Sequence, residues 1–128
     1  MEAPIPVMEP NLRISKKLFT NNFDIKQYKF SLSKTDNNTI IFDARIKEEL
    51  ATCYYELEYG YSDFTKLSEL FSKCNNTDEV YKLLIYNFNK NEKNISIQKD
   101  FIELSFSLDA STNKKEEVKI YMDKKKVN

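Results

Sequence analysis

The amino-acid sequence predicts an α+β fold: an antiparallel β-sandwich or open barrel with an inserted helical hairpin. Three observations carry this expectation. Apolar and polar residues alternate in the segments before Gly60, the apolar spacing lengthens to three and four residues between Phe64 and Phe88, and alternation returns from Ile95 to Met122. Alternation sorts side chains onto the two faces of a strand, whereas a three- and four-residue spacing draws a stripe along a helix. With only one helical insertion, parallel crossovers have no helix to run through, so the strands are expected to pair antiparallel.

Each element follows from its residues. Pro4, Pro6 and Pro10 make residues 1–10 an extended arm outside the fold. The globular domain is expected over 11–123, followed by a basic tail over 124–128. Leu12, Ile14, Leu18 and Phe19 suggest a first strand, and Phe23, Ile25, Tyr28, Phe30 and Leu32 a second. Asp36, Asn37 and Asn38 form a turn. Ile40, Phe42, Ala44 and Ile46 place a third strand on the core, and Glu48 and Glu49 mark its exit. Cys53, Tyr55, Leu57 and Tyr59 alternate along a fourth strand ending at Gly60, the only glycine, where strand gives way to helix.

Ser62 is the expected N-cap of a first helix, with Asp63 in its first turn and the stripe Phe64, Leu67, Leu70, Phe71 and Cys74. A second helix opens at Asn76 or Thr77, where Glu79 resembles the far end of a capping box, and it carries Val80, Leu83, Leu84 and Phe88. Ile95 and Ile97 begin a strand. Ile102, Leu104, Phe106 and Leu108 share one face of the next, and Val118, Ile120 and Met122 complete the sheet.

Composition narrows the chemistry. The chain of 128 residues has no histidine, one glycine and two cysteines. Triads, metal-ligand clusters and phosphate-cradling loops draw on His, paired Cys or clustered Gly, so the expected chain is not an enzyme and carries no cofactor or metal. Its 9 Phe and 8 Tyr suffice to drive collapse of one domain. The 20 basic and 20 acidic residues cancel, and only Arg13 and Arg45 are arginine, which argues against nucleic acid as the partner. The first residues lack the pattern of a secretory signal and no run reaches membrane-spanning length. Cys53 and Cys74 are expected as buried thiols in a reducing compartment, cytoplasmic or nuclear. Abundant Asn and Lys point to an AT-rich genome of the kind common in protists.

Four sets of residues are candidates for function. Asp109 with Glu117 and Lys119 imitates a metal-dependent nuclease site, and it equally fits the solvent face of an edge strand. Tyr54, Tyr55, Tyr59 and Tyr61 supply rigid apolar bodies with polar tips, which suits an interface. Alternation buries Tyr55 and Tyr59 and leaves Tyr54 outside. Phe64, Leu67 and Phe71 would line a docking groove with Leu84 and Phe88, or else cover the sheet. Lys16 with Lys17, and Lys124 to Lys126, lack interleaved aromatics and read as solvated ends.

The stretch from Tyr55 through Gly60, Ser62, Asp63 and Phe64 to Leu67 sets a strand, a short turn and an Asp-Phe-x-x-Leu helix start in succession. It resembles the head domains of the centriolar cartwheel protein and of the related DNA-end-joining scaffold family. That resemblance implies a small β-sandwich or barrel with an inserted helical hairpin, followed by a dimerising coiled coil. The order of elements also resembles small domains in ciliate proteins. Together these readings lead to a non-enzymatic protein-protein interaction or oligomerising scaffold domain, cytoskeletal or nuclear, with Tyr54, Tyr61 and Phe64 as the residues that meet a protein partner or a second copy. A DNA-binding or DNA-repair accessory module is the alternative.

Overall fold

The computed structural model describes residues 15–47, 53–109 and 114–126. Within them, seven strands and three helices follow in the order β1 (Lys17–Ile25), β2 (Tyr28–Thr35), β3 (Thr39–Ile46), β4 (Cys53–Gly60), α1 (Tyr61–Leu67), α2 (Glu69–Ser72), α3 (Thr77–Lys90), β5 (Lys93–Ile97), β6 (Phe101–Asp109) and β7 (Lys115–Lys126). The strands form one antiparallel sheet in the order β1-β2-β3-β4-β7-β6-β5. The first four make a meander. The helices then cross one face, and β5 and β6 lead β7 back against β4.

This architecture is an open barrel, curled until its two edges meet in space without pairing. Lys93 of β5 spans the seam, with Nζ 5.7 Å from the centroid of the Phe23 ring on β1 while donating to the Phe88 carbonyl at 2.7 Å. No second sheet forms among the described residues, so the core lies between the concave face of the curled sheet and the helices.

Register explains which side chains fill that core. Phe30 sits opposite Ala44, Leu32 opposite Phe42, and Phe42 opposite Leu57, so one row of apolar residues crosses β2 to β4 on the concave face. Ile102, Leu104 and Phe106 of β6 align with Met122, Ile120 and Val118 of β7 to continue it. Phe88 of α3 joins the two halves: its ring stacks on Phe30 at 5.5 Å and meets Phe23 at 5.3 Å and Phe106 at 4.8 Å. A single aromatic thus touches strands from both sides of the barrel opening.

Polar clips hold α3 in that cradle. The buried Asn87 side chain accepts from the Asp109 amide at 2.9 Å and donates to the Leu83 carbonyl at 2.8 Å. Asn91 Nδ2 faces Asn87 Oδ1, the Ser107 carbonyl and Asp109 Oδ1. Asn87→Ala leaves the Asp109 amide without its acceptor in a water-poor site, and a loss of about 1 to 3 kcal/mol is expected in urea unfolding.

Several local expectations are corrected. One predicted strand over Phe23 to Leu32 is a hairpin: β1 ends at Ile25, Ile25 faces Tyr28, and Lys26 turns the chain with φ 55°. No Gly, Asn or Pro announces that turn, and the only sign is a skipped beat in the alternation between Ile25 and Tyr28. The first strand therefore runs over Lys17–Ile25, while Leu12, Ile14 and the arm over 1–10 lie outside the described residues, as do Glu48 and Glu49. Three helices stand where two were expected, because Ser68 adopts extended geometry, accepts from the Leu70 amide at 3.0 Å and starts α2. Of the expected basic tail over 124–128, Lys124 to Lys126 belong to β7 and pair with Tyr55, Tyr54 and Cys53, and residues 127–128 lie outside the described residues. Cys53 and Cys74 are free thiols, half-buried rather than buried.

The cap of α1 is Gly60, not Ser62. Its amide donates to Asp63 Oδ2 at 2.9 Å, so the side chain three residues on closes the helix start. With φ −97° and ordinary contact distance to any added Cβ, Gly60 is not a conformational necessity. Gly60→Ser supplies an N-cap hydroxyl there, and its melting temperature is expected to match or exceed that of the parent chain.

Candidate functional site

The three residues expected to meet a partner stand in three different environments. Phe64, on α1, is fully buried, 6.0 Å from the Phe42 ring, 5.5 Å from Tyr59 and 5.2 Å from Phe71. It is a core residue, because the first turn of α1 aims inward once Gly60 caps the helix. Tyr61 packs on the rim of the core, and its hydroxyl donates to the Cys74 carbonyl, tying α1 to the end of α2. Tyr54 stands on the convex face, half-buried beneath the Arg45 guanidinium at 4.3 Å. Arg45 is held from the other side by Asp43, with Nε to Oδ1 at 3.0 Å and Nη2 to Oδ2 at 3.3 Å. That hydrogen-bonded pair raises the Arg45 pKa. The corner therefore presents Tyr54 alone.

The apolar stripe does not form an open groove. Phe71, Leu84 and Phe88 are buried and Leu67 is half-buried against the same core. Tyr55 is buried edge-on against Tyr28, and Tyr59 is half-buried between Phe42 and Phe64.

The nuclease-like set is dispersed. Asp109 turns to α3, where Lys90 Nζ lies 2.6 Å away, while Lys119 pairs with Glu103 at 3.4 Å. Glu117 faces Ser107 across the strands. A row of three carboxylates that the sequence pattern does not reveal does cross the convex face, since Glu56 lies opposite both Asp43 and Asp123. Arg45 engages Asp43, and among the described residues no group of three or more His, Cys, Asp or Glu is placed to hold a metal ion.

Hydrogen bonds from Lys90 and then Asn91 hold the Asp109 carboxyl below its ordinary pKa. Its folded-state value is thus below its unfolded one, so its contribution is present above the unfolded pKa and is lost as pH falls through the folded value. The stability gap between the parent chain and Asp109→Asn should therefore narrow in acid, below about pH 4, when both are followed by thermal melts.

Of the exposed large hydrophobic side chains, Tyr86 lies on α3 and Tyr121 on β7, while Leu18, Phe19 and Ile97 lie on the edge strands. On β1, Leu18 and Phe19 are 52% and 58% exposed, and Ile97 on β5 is 55% exposed. A bulge between Lys17 and Phe19 turns Leu18 outward. Lys17 lies opposite Thr35 and Phe19 opposite Lys34, so Leu18 is the extra residue. Below Phe19, the buried Lys34 ammonium binds Asp78 at 3.1 Å and Asn38 Oδ1 at 3.3 Å. Beside it, Phe19, Asn21, Asp78, Tyr81 and Lys82 enclose a depression of about 490 Å³. Tyr81 donates to the Leu32 carbonyl at 2.8 Å, and burial pushes its phenol pKa up.

On the opposite face of the same strand, Lys17, Asn22, Lys29, Ser31, Asp43 and Arg45 line a shallow polar depression. Strand β1 thus separates an apolar hollow from a cationic one. The sequence shows the residues of both, but the cross-strand register that assembles them appears only in the fold. No helix among the described residues is long and apolar enough to cross a membrane. No protein-family model, curated protein or solved structure matches the chain.

Proposed function

We propose that the chain is a non-enzymatic protein-protein interaction domain that uses the open edges of its sheet, and that it serves as an oligomerising or scaffold module. The observation that carries this reading is the placement of Leu18 and Phe19 on edge strand β1 and of Ile97 on edge strand β5. An edge strand offers unpaired backbone donors and acceptors, and proteins that do not use such edges blunt them with charge, proline or cover. Here the stretch from Leu18 to Phe23 contains neither charge nor proline, and beyond the bulge at Leu18 the register with β2 is regular from Phe19 to Ile25. Tyr54 with Arg45, and the exposed Tyr121 packed edge-on against Phe101 at 5.8 Å, add to the convex face the residue types enriched at protein interfaces. The resemblance of the Tyr55 to Leu67 stretch to scaffold head domains gives the same reading a cytoskeletal or nuclear setting.

Sedimentation velocity at rising concentration, paired with isotope-labelled capture of bound proteins, tests the reading. The parent chain is expected to self-associate or to retain partners that the edge-blunted variants Phe19→Lys and Ile97→Lys lose. A strict monomer whose edge-blunted variants keep every bound protein contradicts it.

A further inference from the structure

The two hollows flanking β1 specify a ligand more narrowly than an open edge does. This step rests on the interaction reading and names the partner's chemistry. A strand added to β1 places its successive side chains alternately on the two faces of the sheet. On the concave side they meet Phe19 and Tyr81 in the apolar hollow. On the convex side they meet Lys17, with Lys29 and Arg45 behind it on β2 and β3.

The charges nearest the edge are unbalanced. Asp78 is engaged by Lys34, and Arg45 neutralises Asp43, whereas Lys17 and Lys29 on the convex side make no ion pair among the described residues. The accessible length is also set. Lys93 crosses from β5 onto Phe23 at the last part of β1, and no strand among the described residues pairs with the outer side of Lys17 to Asn22.

We infer that the Lys17 to Asn22 stretch of β1 takes up an extended segment of a partner protein in which apolar and acidic side chains alternate. The main chain of that segment pairs with β1. One apolar side chain fills the hollow between Phe19 and Tyr81, and its carboxylates lie on the opposite face along Lys17 and towards Lys29. A second copy of this chain fits less well, because its own Lys17 to Asn22 stretch brings a lysine and no carboxylate to set against Lys17.

The probe is a fluorescein-labelled synthetic peptide, Asp-Leu-Asp-Phe-Asp-Ile-Asp, with Lys-Leu-Lys-Phe-Lys-Ile-Lys as its control, titrated with the full chain and read by anisotropy. The acidic probe is expected to bind and to slow amide exchange in Lys17 to Asn22, while the control does not bind. Phe19→Ala and Lys17→Glu should each weaken binding about tenfold. Tyr86→Ala, an exposed aromatic on α3 that lines neither hollow, should leave it unchanged, and melting curves check that every variant is folded. Equal binding of the control, indifference to both edge variants, or protection away from β1 overturns the inference. So does a β1-mediated dimer dissociated by Phe19→Lys. If the probe fails while the chain still holds partners through the Ile97 edge, only this inference falls; a chain that binds nothing removes the interaction reading as well.

Discussion

Phe88→Ala should destabilise the domain by about 3 to 5 kcal/mol, the range for deleting a buried aromatic. Phe88 is fully buried and in ring contact with Phe23, Phe30 and Phe106, on strands from the two ends of the sheet order. Removing its ring opens a cavity where the barrel halves meet, and the surrounding strands cannot collapse into it without changing the curl. The seam contact should weaken too, because Lys93 donates to the Phe88 carbonyl and lies over Phe23. Guanidinium unfolding measures the loss, and amide exchange should show both edge strands opening sooner. A loss under about 1 kcal/mol would mean that Phe88 is not the residue joining the halves.

Phe64→Ala is expected to cost a similar amount, about 3 to 5 kcal/mol, through the contacts with Phe42, Tyr59 and Phe71. Tyr54→Ala removes one cation-π contact with Arg45 and should cost about 1 kcal/mol or less. The pair separates a core role from a surface one. If Phe64 met a partner directly, its alanine variant would fold normally and lose binding. The structure predicts the reverse order of effects: Phe64→Ala changes stability first, and Tyr54→Ala leaves the fold intact.

Much of the fold is legible in local pattern. Alternation identifies β6 and β7 because each buries one face, and Asn76 is recognisable as a cap from its spacing to Glu79, whose amide its side chain accepts from at 3.0 Å. The Lys26 turn is nearly hidden because its positive φ falls on a residue with no turn signal, and the skipped beat between Ile25 and Tyr28 is its only trace. The break at Ser68 is hidden for a different reason. The helical stripe keeps its spacing across α1 and α2, while the tie that marks the break, Ser68 Oγ to Glu116 Oε1 at 2.9 Å, joins residues distant in sequence.

The candidate site was less legible. Tyr54, Tyr61 and Phe64 are close in sequence, but strand twist and the helix start send them to the convex face, the rim and the core. The β1 edge carries a one-residue bulge that turns Leu18 outward beside Phe19, and bulges follow from cross-strand register rather than from composition. Lys16 and Lys17 look like a solvated end in sequence. In the fold, Lys17 belongs to a cationic hollow with Lys29 and Arg45.

Amide hydrogen exchange of the full chain, followed in its free state and in its self-associated or partner-bound state, tests the interaction account most directly. The account predicts slowing concentrated in the edge strands, Lys17–Ile25 and Lys93–Ile97, with the central strands unchanged. Slowing confined to the helices or to the convex face around Tyr54, or no bound state at any concentration, would contradict it.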